Sequence, residues 1–147
     1  MTKTEIVSVD QIVHATPESI FNLLADPRQH PVIDGSGTVR KSQGDTPQRL
    51  SLGSKFGMDM KIGIPYKITN EVIEFNEGRQ IAWRHFGGHV WRYFLEPVDG
   101  GTKVTEQFDY ANSRSKLFLK VTGAIPKNEK AMRITLKNLE KHFSSPQ

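Results

Sequence analysis

The chain has 147 residues, no cysteine and a net charge of +4, with hydrophobic residues at 36% and charged residues at 24%. This length predicts one domain over residues 1–147, and the lack of cysteine excludes disulfides, thiol catalysis and thiolate metal sites. No run of about 18 apolar residues occurs, so no integral membrane segment is expected, and no motif or block of like charge marks a nucleic-acid surface. The N-terminal MTKTEIVSVD lacks the apolar core of a secretory signal, so the expected location is the cytoplasm.

In chain order, Thr4 to His14 reads as a strand, with Ile6 and Ile12 on one face and Val7, Val9 and Val13 on the other. Both faces carry apolar groups, which leaves the buried one undecided. A helix then opens at Thr16-Pro17-Glu18: threonine suits the N-cap and proline the first helical position. Ile20, Phe21, Leu23 and Leu24 form its apolar stripe, and Asp26-Pro27 ends it because the residue before proline resists the α conformation. Arg28 to Pro31 suggests a short second helix. A polar loop, Ile33-Asp34-Gly35-Ser36-Gly37, leads to a strand near Thr38 to Ser42, and QGDTPQ at 43–48 reads as a surface turn. Further strands are expected over Arg49 to Ile62, with Phe56, Met58 and Met60 in alternation, over Tyr66 to Phe75, and from Arg79 onward.

Ile81 to Tyr110 carries the densest pattern. Ile81, Trp83, His85, Trp91, Tyr93, Leu95, Val104, Glu106, Phe108 and Tyr110 fall on one strand face, and Arg84, Arg92, Lys103, Thr105, Gln107 and Asp109 on the other. Antiparallel partners share a face. The turn at Phe86-Gly87-Gly88 must therefore have an odd length, and the one at Val98-Asp99-Gly100-Gly101 an even length. The second turn sets Leu95 opposite Val104, Tyr93 opposite Glu106, Trp91 opposite Phe108 and His89 opposite Tyr110. Both turns agree on one aromatic wall that includes a carboxylate and a histidine.

Arg114 to Thr122 fits either a short helix or an irregular lid, and Gly123 to Pro126 reads as a break. Lys127 to Phe143 is amphipathic, with Met132, Leu136, Leu139 and Phe143 on one side and Lys130, Lys137 and Lys141 on the other. A curved sheet with one apolar face needs a cover, and this helix is the only element long enough. The expected result is a cavity between them.

The order of elements, the segment Ala15 to Phe21, Leu24-Ala25-Asp26-Pro27, Trp91 to Pro97 (WRYFLEP), Gly101 to Thr105 and the terminal Met132 to Leu139 helix resemble the START-like, helix-grip (SRPBCC) superfamily. That superfamily includes polyketide cyclase/dehydrase-like proteins, lipid-transfer domains and plant pathogenesis-related proteins. The resemblance covers nearly the whole chain, and HPVIDGSG is similar to an actinobacterial subgroup. It implies an α+β helix-grip fold: a curved seven-stranded antiparallel sheet wrapped around a long C-terminal helix, two short helices after the first strand, and a hydrophobic cavity. One departure is that many relatives carry a tryptophan just beyond the Asp-Pro, where this chain reads RQHPVID at 28–34. Fold alone does not settle function.

The candidate ligand-binding residues are Met58, Met60, Trp83, His85, Trp91, Tyr93, Glu106, Phe108, Tyr110, Met132 and Leu136. Methionines give such a wall adaptable surfaces. The candidate catalytic residues are Glu106, Tyr93 and His85, since a carboxyl buried among aromatics would titrate near neutrality and serve as acid or base; the bland alternative is a paired structural carboxylate. His85 and His89 lack the one-face spacing of a helical metal site, so no metal and no cofactor is expected. His14, His30 and Asp34 form a looser set, and Gly35-Ser36-Gly37 offers either anion-facing N–H groups or an ordinary glycine turn. Three functions follow. The protein binds a hydrophobic small molecule such as a lipid or polyketide, as a monomer or homodimer. Alternatively, it is a cyclase or dehydratase with Tyr93 and Glu106 as acid–base pair, or a co-chaperone-like module that uses the outer sheet face.

Overall fold

A computed structural model describes residues 5–36, 39–42, 48–85, 88–113 and 116–144. The expected turns at 43–47 and 86–87 lie outside the described residues, as do 114–115 and the tail from 145.

The first strand, β1 (Ile6–Val13), buries Val9 and Val13 and leaves Ile6 and Ile12 at the surface, which settles the face that the sequence left open. Helix α1 (Pro17–Leu24) begins as its residues dictate: the Thr16 side chain accepts from the Ser19 N–H at 3.2 Å, and Pro17 takes the first position. Asp26 caps a 3₁₀ turn over Pro27–Gln29, accepting from Arg28 N–H at 3.0 Å, and α2 (His30–Ile33) follows directly. The strands β2 (Val39–Ser42), β3 (Lys55–Ile62), β4 (Ile64–Asn76), β5 (Gln80–His85), β6 (Val90–Val98) and β7 (Gly101–Asp109) come next, then α3 (Lys116–Val121) and α4 (Ala124–Ser144).

All strand pairs are antiparallel, in the order β1-β7-β6-β5-β4-β3-β2. The expectation of seven strands wrapped around the helix is corrected in two respects. The body of the sheet is six strands, and β2 is a four-residue ribbon that joins the β3 edge through a register shift. The sheet is also open: among the described residues, its edge strands β1 and β2 are not paired to each other. It packs against α4, whose Met132, Thr135, Leu136 and Leu139 are buried.

The register deduced from turn parity holds at Trp91 opposite Phe108, Tyr93 opposite Glu106 and Leu95 opposite Val104, and the β5–β6 ladder sets Trp83 opposite Trp91. The β6–β7 ladder begins at Val90 opposite Asp109, so His89 and Tyr110 lie just past its end. Two boundaries move. Residues 49–54 are turn rather than strand, because Gly53 at φ +85° and the Ser51–Ser54 contacts fold the chain before β3 starts. Helix α4 begins at Ala124 rather than after Pro126, since a proline in the first turn removes only an N–H that has no helical partner there. The segment left open between helix and lid contains the helix α3.

The outer sheet face is a charged layer rather than a purely solvated one. Arg92, with a side chain only 13% exposed, reaches Glu74 on β4 at 2.7 Å and Asp109 on β7 at 3.4 Å. Gln80 adds a bond to Glu74 at 2.6 Å.

Candidate functional site

Between the inner sheet face, α2 and α4 lies a cavity of about 500 Å³. Alternation along the strands supplies its walls: Phe56, Met58 and Met60 from β3, Ile68 and Asn70 from β4, Trp83 and His85 from β5. Trp91 and Tyr93 from β6 and Glu106 from β7 continue the same face. From the helical side come His30, Ile33 and Asp34, with Asn128, Ala131, Met132 and Thr135 of α4.

Eight of the expected ligand-binding residues therefore lie together on the lining: Met58, Met60, Trp83, His85, Trp91, Tyr93, Glu106 and Met132. Phe108, Tyr110 and Leu136 do not line it. Phe108 is fully buried against Trp91, with ring centroids 4.7 Å apart, and Tyr110 stacks on Phe108 at 5.7 Å. Leu136 is spent in the core, while its neighbour Thr135 reaches the lining.

Trp83 stands at the centre of the wall. Phe56 meets it edge-on at 5.7 Å and Tyr93 lies at 5.7 Å. His30 also packs on it. Its Nε2 lies 2.9 Å from the carbonyl oxygen of Leu24, which makes that nitrogen the donor, and burial lowers its pKa so that the ring stays neutral.

Tyr93 and Glu106, partners across β6 and β7, are hydrogen-bonded, with the phenol donating to the carboxyl. Burial pushes the Glu106 carboxyl up to about 8; the charge of Asp34 adds to the rise and the Tyr93 bond opposes it. Burial and the Glu106 carboxylate together hold the Tyr93 phenol well above its usual range. Glu106 is 4% exposed, and its Oε1 is buried without a hydrogen-bond partner. Asn70, also 4% exposed, leaves its Oδ1 in the same condition.

His85 and His89 stack with ring centroids 4.5 Å apart and planes 13° from parallel. Burial lowers both, His89 to about 4 with His85 as the second cause, so both rings are neutral at pH 7. Among the described residues no group of three or more histidine, aspartate or glutamate side chains is placed to hold a metal. The looser set of His14, His30 and Asp34 divides. His14 bonds Glu140 of α4 at 2.9 Å, and His30 and Asp34 line the cavity.

The loop after α2 is held to α4. Gly35 N–H donates to Thr135 Oγ1 at 2.8 Å, Thr135 donates to the Ala131 carbonyl at 3.0 Å, and Asn138 donates to the Ile33 carbonyl at 3.1 Å. A Cβ on Gly35 would stand 2.7 Å from Thr135 N and closer still to the Ala131 carbonyl oxygen. Asp34 accepts from Ser36 N–H at 3.2 Å and Val39 N–H at 3.1 Å. The N–H groups of Gly35 and Ser36 are thus already used, which removes them from the anion-facing reading of this loop, and Gly37 lies outside the described residues.

Sequence reasoning missed Phe56, Asn70 and Thr135 as lining residues. Asn70 had a visible signal, an amide in the apolar phase of β4 between Ile68 and Val72. Thr135 had none, because its role depends on the loop that crosses it.

The model of a family described as polyketide cyclase / dehydrase and lipid transport matches residues 4–144. Protein Rv0088 of Mycobacterium tuberculosis is 37% identical over 138 residues, which is 90% of this chain and 61% of the relative. The chain thus spans about three fifths of the length of that curated relative. Among solved structures, protein Ms6760 from Mycobacterium smegmatis superposes with a TM-score of 0.72 at 18% identity, covering 96% of this chain and 92% of that one. The AHSA1-like protein from Aeromonas hydrophila gives 0.69 at 15% identity over 97% and 96%. At such identities these likenesses speak for the fold alone.

Proposed function

The chain belongs to the polyketide cyclase/dehydrase and lipid transport family of the helix-grip superfamily, and from that premise we propose that it binds a hydrophobic small molecule, such as a lipid or polyketide, between the sheet and α4. The observation that carries this reading is the cavity of about 500 Å³ walled by Phe56, Trp83, Trp91 and three methionines. Its volume falls within the usual range for small-molecule sites. Burying roughly 300 Å² of apolar ligand surface is worth about 7 kcal/mol before ordering costs, which brings micromolar affinity within reach. Met58, Met60 and Met132 give the wall the adaptability that a variable occupant requires. Native mass spectrometry of protein purified from its own host should show a co-purified hydrophobic molecule. An empty cavity that also fails to take up a fluorescent fatty-acid probe would sink the reading.

A second reading, a cyclase or dehydratase, is favoured by one specific observation: the Tyr93–Glu106 pair lines the cavity, and the Glu106 carboxyl titrates near neutrality. A carboxyl at that pKa is suited to move a proton to or from an enolisable carbonyl. Glu106→Gln keeps the shape and removes the titration. Unchanged turnover of a discovered substrate by this variant would exclude the role.

A further inference from the structure

The short helix α3 turns apolar side chains toward solvent. Leu119 packs against the core, but Leu117 and Val121, four residues apart and so on one face, are each 75% exposed. A third such side chain, Ile64 at 76%, sits at the tip of the β3–β4 hairpin. The register places helix and hairpin at one end of the sheet. Asn70 pairs with His85, the last residue of β5, so Ile64 to Thr69 project past that strand by about 20 Å at roughly 3.3 Å per residue. The same end holds Val90, Asp109 and Ile6, and Lys116 of α3 is tied to it by an ion pair with Glu5 at 3.2 Å. Tyr66 of the hairpin and Asn128 near the start of α4 line one cavity, from its sheet side and its helical side. Helix α3 runs into that start of α4 through Thr122 and Gly123.

The charge around these residues has one sign. Met60 to Asn70 and Tyr110 to Asn128 contain no aspartate or glutamate. Lys61, Lys67, Lys120 and Lys127 are exposed, and among the described residues none of them forms an ion pair. Exposed aliphatic groups set among unpaired cations complement the surface of a bilayer with anionic headgroups, where apolar side chains enter the acyl boundary and lysines meet the phosphates. We propose that α3 and the β3–β4 tip form a docking surface for an anionic lipid bilayer, with Leu117, Val121 and Ile64 inserted and the four lysines at the headgroups. Among the described residues no helix is long and apolar enough to cross a membrane; the contact is with the bilayer surface. The proposal goes beyond the ligand-binding reading and stands on this surface alone.

The test is flotation of the unmodified chain with vesicles of phosphatidylcholine alone and of phosphatidylcholine with about 30% phosphatidylglycerol, the anionic ones being expected to hold it about tenfold more tightly. Added salt should release it. Leu117→Ser combined with Val121→Ser, and separately Ile64→Ser, should each weaken binding several-fold. Phe94→Ser, at an exposed position on the outer sheet face, should leave it unchanged. All four side chains are exposed, so the variants should keep the fold, which far-ultraviolet circular dichroism checks. No retention, equal retention on both kinds of vesicle, or retention that the Leu117 and Val121 substitutions leave unchanged would overturn the proposal. Self-association through these residues without vesicle binding, read by sedimentation, would overturn it in favour of a second copy of the chain. Uptake of the fluorescent fatty-acid probe in the absence of vesicles tests the cavity separately, so failure of docking leaves the ligand-binding reading standing.

Discussion

His30 lies nearly flat against Trp83, with ring centroids 4.8 Å apart and planes 20° from parallel, while its Nε2 is tied to the carbonyl oxygen of Leu24. A short helix thereby lends a polar ring to an aromatic wall and caps the end of α1 with it. Replacing His30 with leucine should cost about 1–3 kcal/mol, because the Leu24 carbonyl loses its donor in a buried setting. Urea unfolding followed by tryptophan fluorescence measures the loss, and Trp83 emission in the folded state should shift as its stacking partner changes.

Stability should peak near pH 6.5. Burial holds His30, His85 and His89 below their ordinary value, His89 near 4. The unfolded chain therefore takes up more protons at these sites, and stability falls as pH drops below 6.5. Glu106 runs the other way: its folded value of about 8 lies above the unfolded one, so its contribution is full below about 4.5 and fades as pH rises through 8. Between 4.5 and 6.5 three histidines outweigh one carboxyl, and above 6.5 the carboxyl acts alone. Thermal melts from pH 4 to 9 should show both limbs, and Glu106→Gln should flatten the alkaline one. A profile that stays level from 6.5 to 8 would contradict the burial of Glu106.

Tyr93→Phe should raise the Glu106 pKa further. The phenol's hydrogen bond favours the ionised carboxyl, and its loss leaves burial and Asp34 unopposed. Carbonyl-carbon NMR titration of the Glu106 carboxyl reads this directly, with a midpoint above that of the unmodified protein.

Gly35→Ala and Gly100→Ala should destabilise for different reasons although both remove a glycine. At Gly35 the added carbon meets the α4 backbone, which cannot yield locally, so overpacking should cost about 2–3 kcal/mol and loosen the loop from the helix. Gly100 has φ +82° and open space around it, so only the left-handed backbone penalty of about 1–2 kcal/mol applies. Chemical denaturation ranks the pair, and amide exchange at Thr135 should accelerate only in the Gly35 variant.

Much of this was written locally. The α1 cap needed only Thr16 and Pro17, and the β6–β7 register needed only the number of turn residues that keep Tyr93 beside Glu106. The lining beyond the strands depended on chain crossings that no periodicity encodes. His30 enters the wall because Asp26-Pro27 turns the chain back over the sheet, and Thr135 enters because Gly35 lets a loop settle on α4. Phe108 and Tyr110 share the alternation of Trp91 and Tyr93, yet one ring can screen another, and a strand's phase carries no such depth. Helix α4 starts ahead of Lys127 because proline breaks a helix interior but is tolerated in a first turn.

The outer-face bonds of Arg92 on β6 reach Glu74 on β4, across the intervening β5, and Asp109 on the adjacent β7. A sheet cross-braced in this way behaves as the fixed jaw of a vice. On the ligand-binding reading, a bulkier guest would make room by displacing the helical jaw, whose tie to the loop after α2 rests on the bonds of Gly35 to Thr135 and of Asn138 to Ile33. Selectivity by size would on that account be tuned from α2 and α4, with the sheet serving as the ruler against which each guest is measured.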